Sequence, residues 1–350
     1  MRPHKKSSIA GNQKRVILML IAALFLWAFP GRLLSAGQEA NPVSNPIIEK
    51  KQSFVWGTPT ETVHIGLGYL FSRSEGSWEI SFPEESGLGR SILRFQEMRG
   101  AAPLAALDIN HPRGLVSLSL EYSKGQLFNG QGTDTDYQSG DLYHRSRFDV
   151  DGETAFWLID LQTAFSSAGK QRWVLKPFLG WQHYEDRLKM TNGCWTQLYG
   201  EATQIEILGL DSRYDFTWDA LRIGAKGEIE LLEGFHQRTR SLIIKSHLAL
   251  FPYIEYRGRG VWNLREDFKK DPSFIHEADT AGILGLDWGL SLVYKPLKHL
   301  EFEGGGRLIT FYAESGRDRT YFSNGAVVDV TLEEARTLRT GLFLKITGRF

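Results

Sequence analysis

Long stretches of this chain alternate between apolar and other residues, and that period of two constrains the fold more than any other feature. Near the start, Val63, Ile65, Leu67, Tyr69 and Phe71 alternate with His64, Gly66 and Gly68. Val116, Leu118, Leu120 and Tyr122 alternate with Ser117, Ser119, Glu121 and Ser123. Leu221, Ile223 and Ala225 alternate with Arg222, Gly224, Lys226 and Glu228. Leu284, Leu286, Trp288, Leu290, Leu292 and Tyr294 alternate with Gly285, Asp287, Gly289 and Ser291. Two is the strand period, and these runs exceed the five or six residues usual in a soluble sandwich. The second face carries Gly, Glu, Arg and Lys, which suits a membrane barrel with apolar residues to lipid and polar residues to the lumen. Only a closed barrel lets strands cross a bilayer without an unpaired edge. The alternative is a soluble β-sandwich with the apolar face turned inward.

The pattern predicts an all-β fold: a single closed antiparallel transmembrane β-barrel of about ten strands. These run at 61–75, 89–109, 114–128, 145–165, 172–189, 213–232, 241–262, 274–295, 299–314 and 332–350. Short turns at 111–113, 166–170 and 295–298, with a somewhat longer one at 232–240, alternate with long connections at about 75–89, 126–145, 188–213, 262–274 and 314–332. Short periplasmic turns and long extracellular loops are the pattern of outer-membrane barrels, so both termini are expected in the periplasm. On the last strand Phe350, Gly348, Ile346, Leu344 and Leu342 share one face. Such a strand ending in an aromatic resembles the C-terminal recognition signal of bacterial outer-membrane proteins.

Residues 1–36 read as a secretory signal. Arg2 to Arg15 are a basic region, Val16–Phe29 an apolar run of 14 residues, and Leu34-Ser35-Ala36 a small-residue cleavage site. The run falls short of the roughly 20 residues of a spanning helix; an uncleaved anchor is the alternative. Residues 37–60, with Pro42, Pro46 and Pro59, form a polar lead-in to a barrel at 61–350. The whole chain has 41 basic and 41 acidic residues, but the first 36 carry six basic and no acidic ones. The remainder is therefore acidic, which argues against a nucleic-acid partner. One cysteine, Cys194, excludes an internal disulfide framework and a cysteine zinc cluster; a free thiol is expected.

A ten-stranded barrel is too narrow for an open porin channel. Inward Arg222, Lys226, Glu228 and Glu230 are expected to pair with one another, and function to sit on the loops. The second loop reads Gly132-Thr133-Asp134-Thr135-Asp136-Tyr137-Gln138-Ser139-Gly140-Asp141. Carboxylates at i and i+2 on a strand share one face, and like charges held close raise a pKa, as a group that activates water requires. A solvated acidic loop is the bland reading. A calcium loop fits Asp134 and Asp136, but Ser139 stands at the glycine position and the bidentate Glu is absent; neither metal nor cofactor is expected. Trp181, Tyr253, Trp262, Trp288 and Tyr294 read as interfacial girdles.

In these features the chain resembles the omptins, ten-stranded outer-membrane endopeptidases with the active site at the extracellular mouth. Asp134-Thr135-Asp136-Tyr137 is similar to their acidic pair and following aromatic, Gly180-Trp181-Gln182 to their Gly-Tyr-Gln, Phe251-Pro252-Tyr253-Ile254 to a Pro-Tyr-Ile strand start, and Asp271-Pro272 to an Asp-Pro of the fourth loop. The resemblance implies a water held between Asp134 and Asp136 and an Asp-x-His across the cleft. Here Arg265 and Asp267 stand at those positions, and the chain has no Asp-x-His. Asp267 would then face the acidic pair, three close carboxylates raising one another's pKa. His276, read as a loop residue, and His144 are the candidate imidazoles. The family's lipopolysaccharide-binding triplet corresponds to Trp181, His183 and Glu185, with Arg187 one step further on. Candidate functions are thus a surface endopeptidase, a non-enzymatic surface barrel such as an adhesin or binding protein with a peptide or protein ligand at its loops, or a narrow pore.

Overall fold

The computed structural model describes residues 63–83, 89–111, 116–166, 173–232, 241–282 and 284–350. The signal segment and lead-in assigned to 1–60, with the first two residues of the barrel, lie outside them. Among the described residues thirteen strands follow one another: β1 Val63–Ser81, β2 Arg90–Asn110, β3 Ser117–Gln138, β4 Asp141–Gln162, β5 Phe165–Ser166, β6 Trp173–Leu198, β7 Glu201–Ile207, β8 Ser212–Leu232, β9 Ser241–Val261, β10 Phe274–Ala281, β11 Gly285–Leu297, β12 Leu300–Tyr321 and β13 Val327–Arg349. Every pairing is antiparallel, and the order β1-β2-β3-β4-β6-β8-β9 continues through β10 and β11 to β12 and β13. β13 returns to β1, with Ile65 opposite Gly348, so the ring closes at ten positions. β10 and β11 fill one position between them, both lying between β9 and β12. The break between them carries Gly282 at φ 151°, a conformation that side chains disfavour.

Most strands are 19–26 residues long, about twice the 9–11 that a bilayer requires. That excess divides the barrel into two tiers. In the tier nearer the chain's C-terminus, Leu67 and Phe71 of β1, Leu161 of β4, Leu290 and Leu292 of β11, and Leu342 and Leu344 of β13 are exposed on the outside. The lumen of the same tier is crossed by ion pairs. Arg222 lies between Asp160 and Asp287, each at 3.2 Å. Lys226 reaches Asp160 at 3.1 Å, Lys176 reaches Glu228 at 2.7 Å, and Lys345 reaches Glu303 at 3.0 Å. The expectation that the inward charges of β8 pair with one another is thus corrected for Arg222, Lys226 and Glu228. Each of the three finds its partner on another strand.

Above this belt the pattern inverts. Outside, Arg73 pairs with Glu97, Lys124 with Glu153, Arg257 and Arg317 with Glu277, and Arg319 with Asp329. Inside, Trp78, Phe95, Tyr214, Phe216, Trp218, Phe251, Phe274 and Phe311 are buried. Phe311 stacks on both Trp218 and Phe251, with ring centroids 5.4 and 5.0 Å apart. Burying such a side chain contributes about 1.5–3 kcal/mol, and only water outside the barrel makes that gain available. The apolar-out reading therefore holds for the belt alone. The segments 126–138, 188–198 and 314–321, read as loops, are continuations of β3, β6 and β12. Trp288 and Tyr294 are exposed on the belt, whereas Trp262 turns onto the upper core, 5.6 Å from Phe274.

Candidate functional site

Asp134 and Asp136 stand near the upper end of β3, on strand and not on a loop. β2 and β4 flank them, with Leu93 and Ser146 opposite Asp134, and Ser91 and His144 opposite Asp136. Gly132, two residues below Asp134, leaves the space a Cβ would need to the Phe148 ring, which seats β4 against β3. Burial first, and the Asp136 charge second, push the Asp134 carboxyl well above the ordinary range. Arg265, the Thr135 amide and the Ser91 hydroxyl oppose that rise without cancelling it. Oδ1 of Asp134 is sealed from solvent without a hydrogen-bond partner among the described residues.

Arg265 is the cation facing this pair, and both carboxylates act on it electrostatically. Its Nε and Nη2 donate to Asp267 at 2.9 and 2.8 Å, and its guanidinium lies 4.1 Å above the Phe268 ring. Those hydrogen bonds hold the exposed Asp267 carboxyl below its ordinary range. The expected mutual rise of three carboxylates is corrected accordingly: Arg265 occupies Asp267, which is lowered where Asp134 is raised.

His144 lies with Nδ1 3.9 Å from Asp136 Oδ2. Tyr143, Tyr199 and Trp195 surround its ring at 4.2, 5.1 and 5.7 Å, and Nε2 is buried without a hydrogen-bond partner among the described residues. His276 is elsewhere. It is a fully buried residue of β10, not a loop residue. Its Nε2 is 2.9 Å from Asp318 Oδ1 and its Nδ1 2.9 Å from the Tyr214 hydroxyl. Trp78 closes over it at 4.4 Å. Its place follows from the inward run Phe274, His276, Ala278. Asp318 and Tyr214 lie far from it in sequence, so no local motif announced the pairing.

On the outside, Trp181 and His183 share Asp219: Trp181 Nε1 donates to Oδ1 at 3.3 Å, and His183 Nδ1 lies 2.9 Å from it. Trp157 stacks on His183 at 5.6 Å. Arg187 Nε donates to Glu185 at 2.7 Å.

The raised Asp134 predicts a pH effect with a definite sign. A carboxyl raised in the folded state costs stability once pH exceeds its ordinary value, and increasingly until the raised value is passed. Asp134→Asn is expected to raise the urea midpoint at pH 7 and leave it unchanged at pH 3. A lowered midpoint at pH 7 would mean that the ionised form is favoured. Asp267 has the opposite sign: its contribution is present at neutral pH and fades below the ordinary carboxylate value.

Comparison with known proteins fits this architecture. The outer membrane protease OmpT from Escherichia coli is similar in structure, with a TM-score of 0.65 and 11% identity over 86% of this chain and 99% of that chain. The transport unit of the autotransporter AIDA-I from Escherichia coli has a TM-score of 0.31 at 11% identity, over 88% of this chain and 93% of that one. At this identity the OmpT likeness establishes the fold, an omptin-like barrel. No curated protein sequence matches the chain. The model of one family, Pom, the Protochlamydia outer membrane protein, matches residues 113–335, well over half of the chain. The chain therefore belongs to the Protochlamydia outer membrane protein family.

Proposed function

We propose that this outer-membrane barrel holds its upper tier outside the cell and both chain ends in the periplasm. There it binds basic peptide segments at Asp134 and Asp136 without cutting them. Arg265 carries this reading. The hydrolysis that the omptin resemblance implies calls for a facing base that titrates near neutrality, as an imidazole does. A guanidinium stays protonated and accepts nothing. With Arg265 held by Asp267, Asp136 keeps a partly exposed carboxylate for an incoming cation. Lipopolysaccharide is the proposed outer neighbour of the Trp181, His183 and Arg187 face. Trp157 and Trp181 would pack its acyl boundary, and the exposed Arg187 would meet a phosphate.

One observation favours the second reading, an omptin-type endopeptidase: the unpartnered Nε2 of His144 beside Asp136. In that reading Asp134 and Asp136 hold the water, Asp267 stands across from them, and His144, of the two candidate imidazoles, takes the base role. The test is a fluorescent dibasic peptide added to the folded protein in vesicles, with capture and product followed together. Capture that falls as salt shortens the Debye length from about 10 Å toward 3 Å, without product, is expected. Asp134→Ala with Asp136→Ala should abolish capture. Steady product formation that this double variant removes would establish the endopeptidase instead.

A further inference from the structure

Among the described residues β7 has a single neighbour: Glu201–Ile207 pairs with β6 alone, so its second edge is open along its whole length. Alternate residues of such an edge point their N–H and C=O groups at the open side. Native proteins shield edges of this kind with Lys, Pro or a covering segment. From Met190 to Ser212 the chain has no Lys, Arg or Pro. The one irregularity is a register slip opposite Thr196, which leaves the Ile205–Ile207 end regular.

The surroundings of the edge are apolar and acidic. Ile205 and Leu208 are 50% and 75% exposed, and Leu264, next to Gly209, is 44% exposed. Asn263 Nδ2 donates to the Gly209 carbonyl at 2.7 Å, which ties the Leu264 turn to the end of the hairpin. Glu201 and Glu206 are exposed on β7, and Asp211 follows with Lys189 as its cation at 2.9 Å. A second copy of this chain would set the same carboxylates against each other, and like charges directly opposite are destabilising. A basic partner meets the reverse situation.

We infer that the open edge of β7 receives an extended basic segment of another protein as an added antiparallel or parallel strand. Lys or Arg of that segment lies near Glu201 and Glu206, and its apolar residues lie over Ile205 and Leu208. Main-chain hydrogen bonds supply the affinity of this mode and side chains the selectivity. The surface lies across β4 and β6 from the Asp134–Asp136 pair on β3.

The probe is a fluorescent seven-residue peptide of alternating Lys and Val, offered to the full chain folded in vesicles. A matching peptide with alternate backbone nitrogens methylated cannot donate along one edge. Binding is expected to slow amide hydrogen exchange across 201–207, and to weaken at least about tenfold on methylation, the scale of one or two lost hydrogen bonds. Glu201→Lys with Glu206→Lys, checked for folding by heat-modifiable migration, should weaken it similarly. Asp134→Ala with Asp136→Ala should leave the exchange protection at β7 intact. Equal protection of 201–207 by the methylated peptide, protection confined to segments other than β7, or no protection at β7 with millimolar peptide would overturn the inference.

Discussion

Replacing Asp287 with Ala is expected to destabilise the barrel by about 3–5 kcal/mol, the cost of leaving a buried charge without its partner. Asp287 is fully buried in the belt lumen and accepts from Arg307 at 2.6 and 2.8 Å. Arg222 lies 3.2 Å away and His247 3.0 Å away. Arg307 also holds Glu121 at 2.7 Å, and Arg222 also holds Asp160, so Asp287 joins two ion pairs across the lumen. Its removal leaves two enclosed guanidinium groups short of negative charge. Urea titration of vesicle-folded protein, followed by heat-modifiable migration, measures the effect. Asp287→Leu combined with Arg307→Leu should cost clearly less, because charge is removed from both sides. If the single and double variants were equally stable, the lumen network would be solvated rather than structural.

Leu290→Arg is expected to cost about 2–4 kcal/mol, the range for a cation at mid-membrane on the lipid face. Leu290 is exposed on the outside of β11, between Trp288 and Leu292, which are exposed as well. The same change at Gln126, outward on β3 above the belt, should cost within about 0.5 kcal/mol, as surface substitutions usually do. Equal losses at both positions would erase the boundary between the tiers. A negligible loss at Leu290 would take β11 off the lipid.

The belt was legible in the sequence because lipid outside and charge inside give opposite residue types at alternate positions. Leu286, Trp288, Leu290 and Leu292 against Asp287 and Ser291 leave one assignment open. The upper tier was legible as strand only in part: 213–232, 241–262 and 274–295 take it in, whereas 126–138, 188–198 and 314–321 read as loops. There Gln131, Thr133 and Asp134 are polar on both faces, and the apolar residues that do alternate, such as Tyr214, Phe216 and Trp218, turn inward. A rule that sends apolar side chains to lipid therefore reads that tier as loop or assigns it the wrong face. The acidic pair could be found because Asp134 and Asp136 are neighbours in sequence. Arg265 could be named as a departure from the omptin pattern, but its grip on Asp267 and its field at Asp134 depend on rotamers that spacing does not carry. His276 was misplaced because its partners, Asp318 and Tyr214, come from β12 and β8 and meet it only once the ring closes.

The inversion between tiers can be measured along one strand. Nitroxide labels at Leu118, Leu120, Tyr122, Lys124 and Gln126, each on a Cys194→Ser background in vesicles, sample successive outward positions of β3. Relaxation by oxygen reports lipid, and relaxation by a water-soluble nickel chelate reports water. The two-tier barrel predicts oxygen dominance at Leu118 and Leu120, a crossover between Tyr122 and Lys124, and nickel dominance at Gln126. Nickel dominance at all five positions, or oxygen dominance through Gln126, would contradict it.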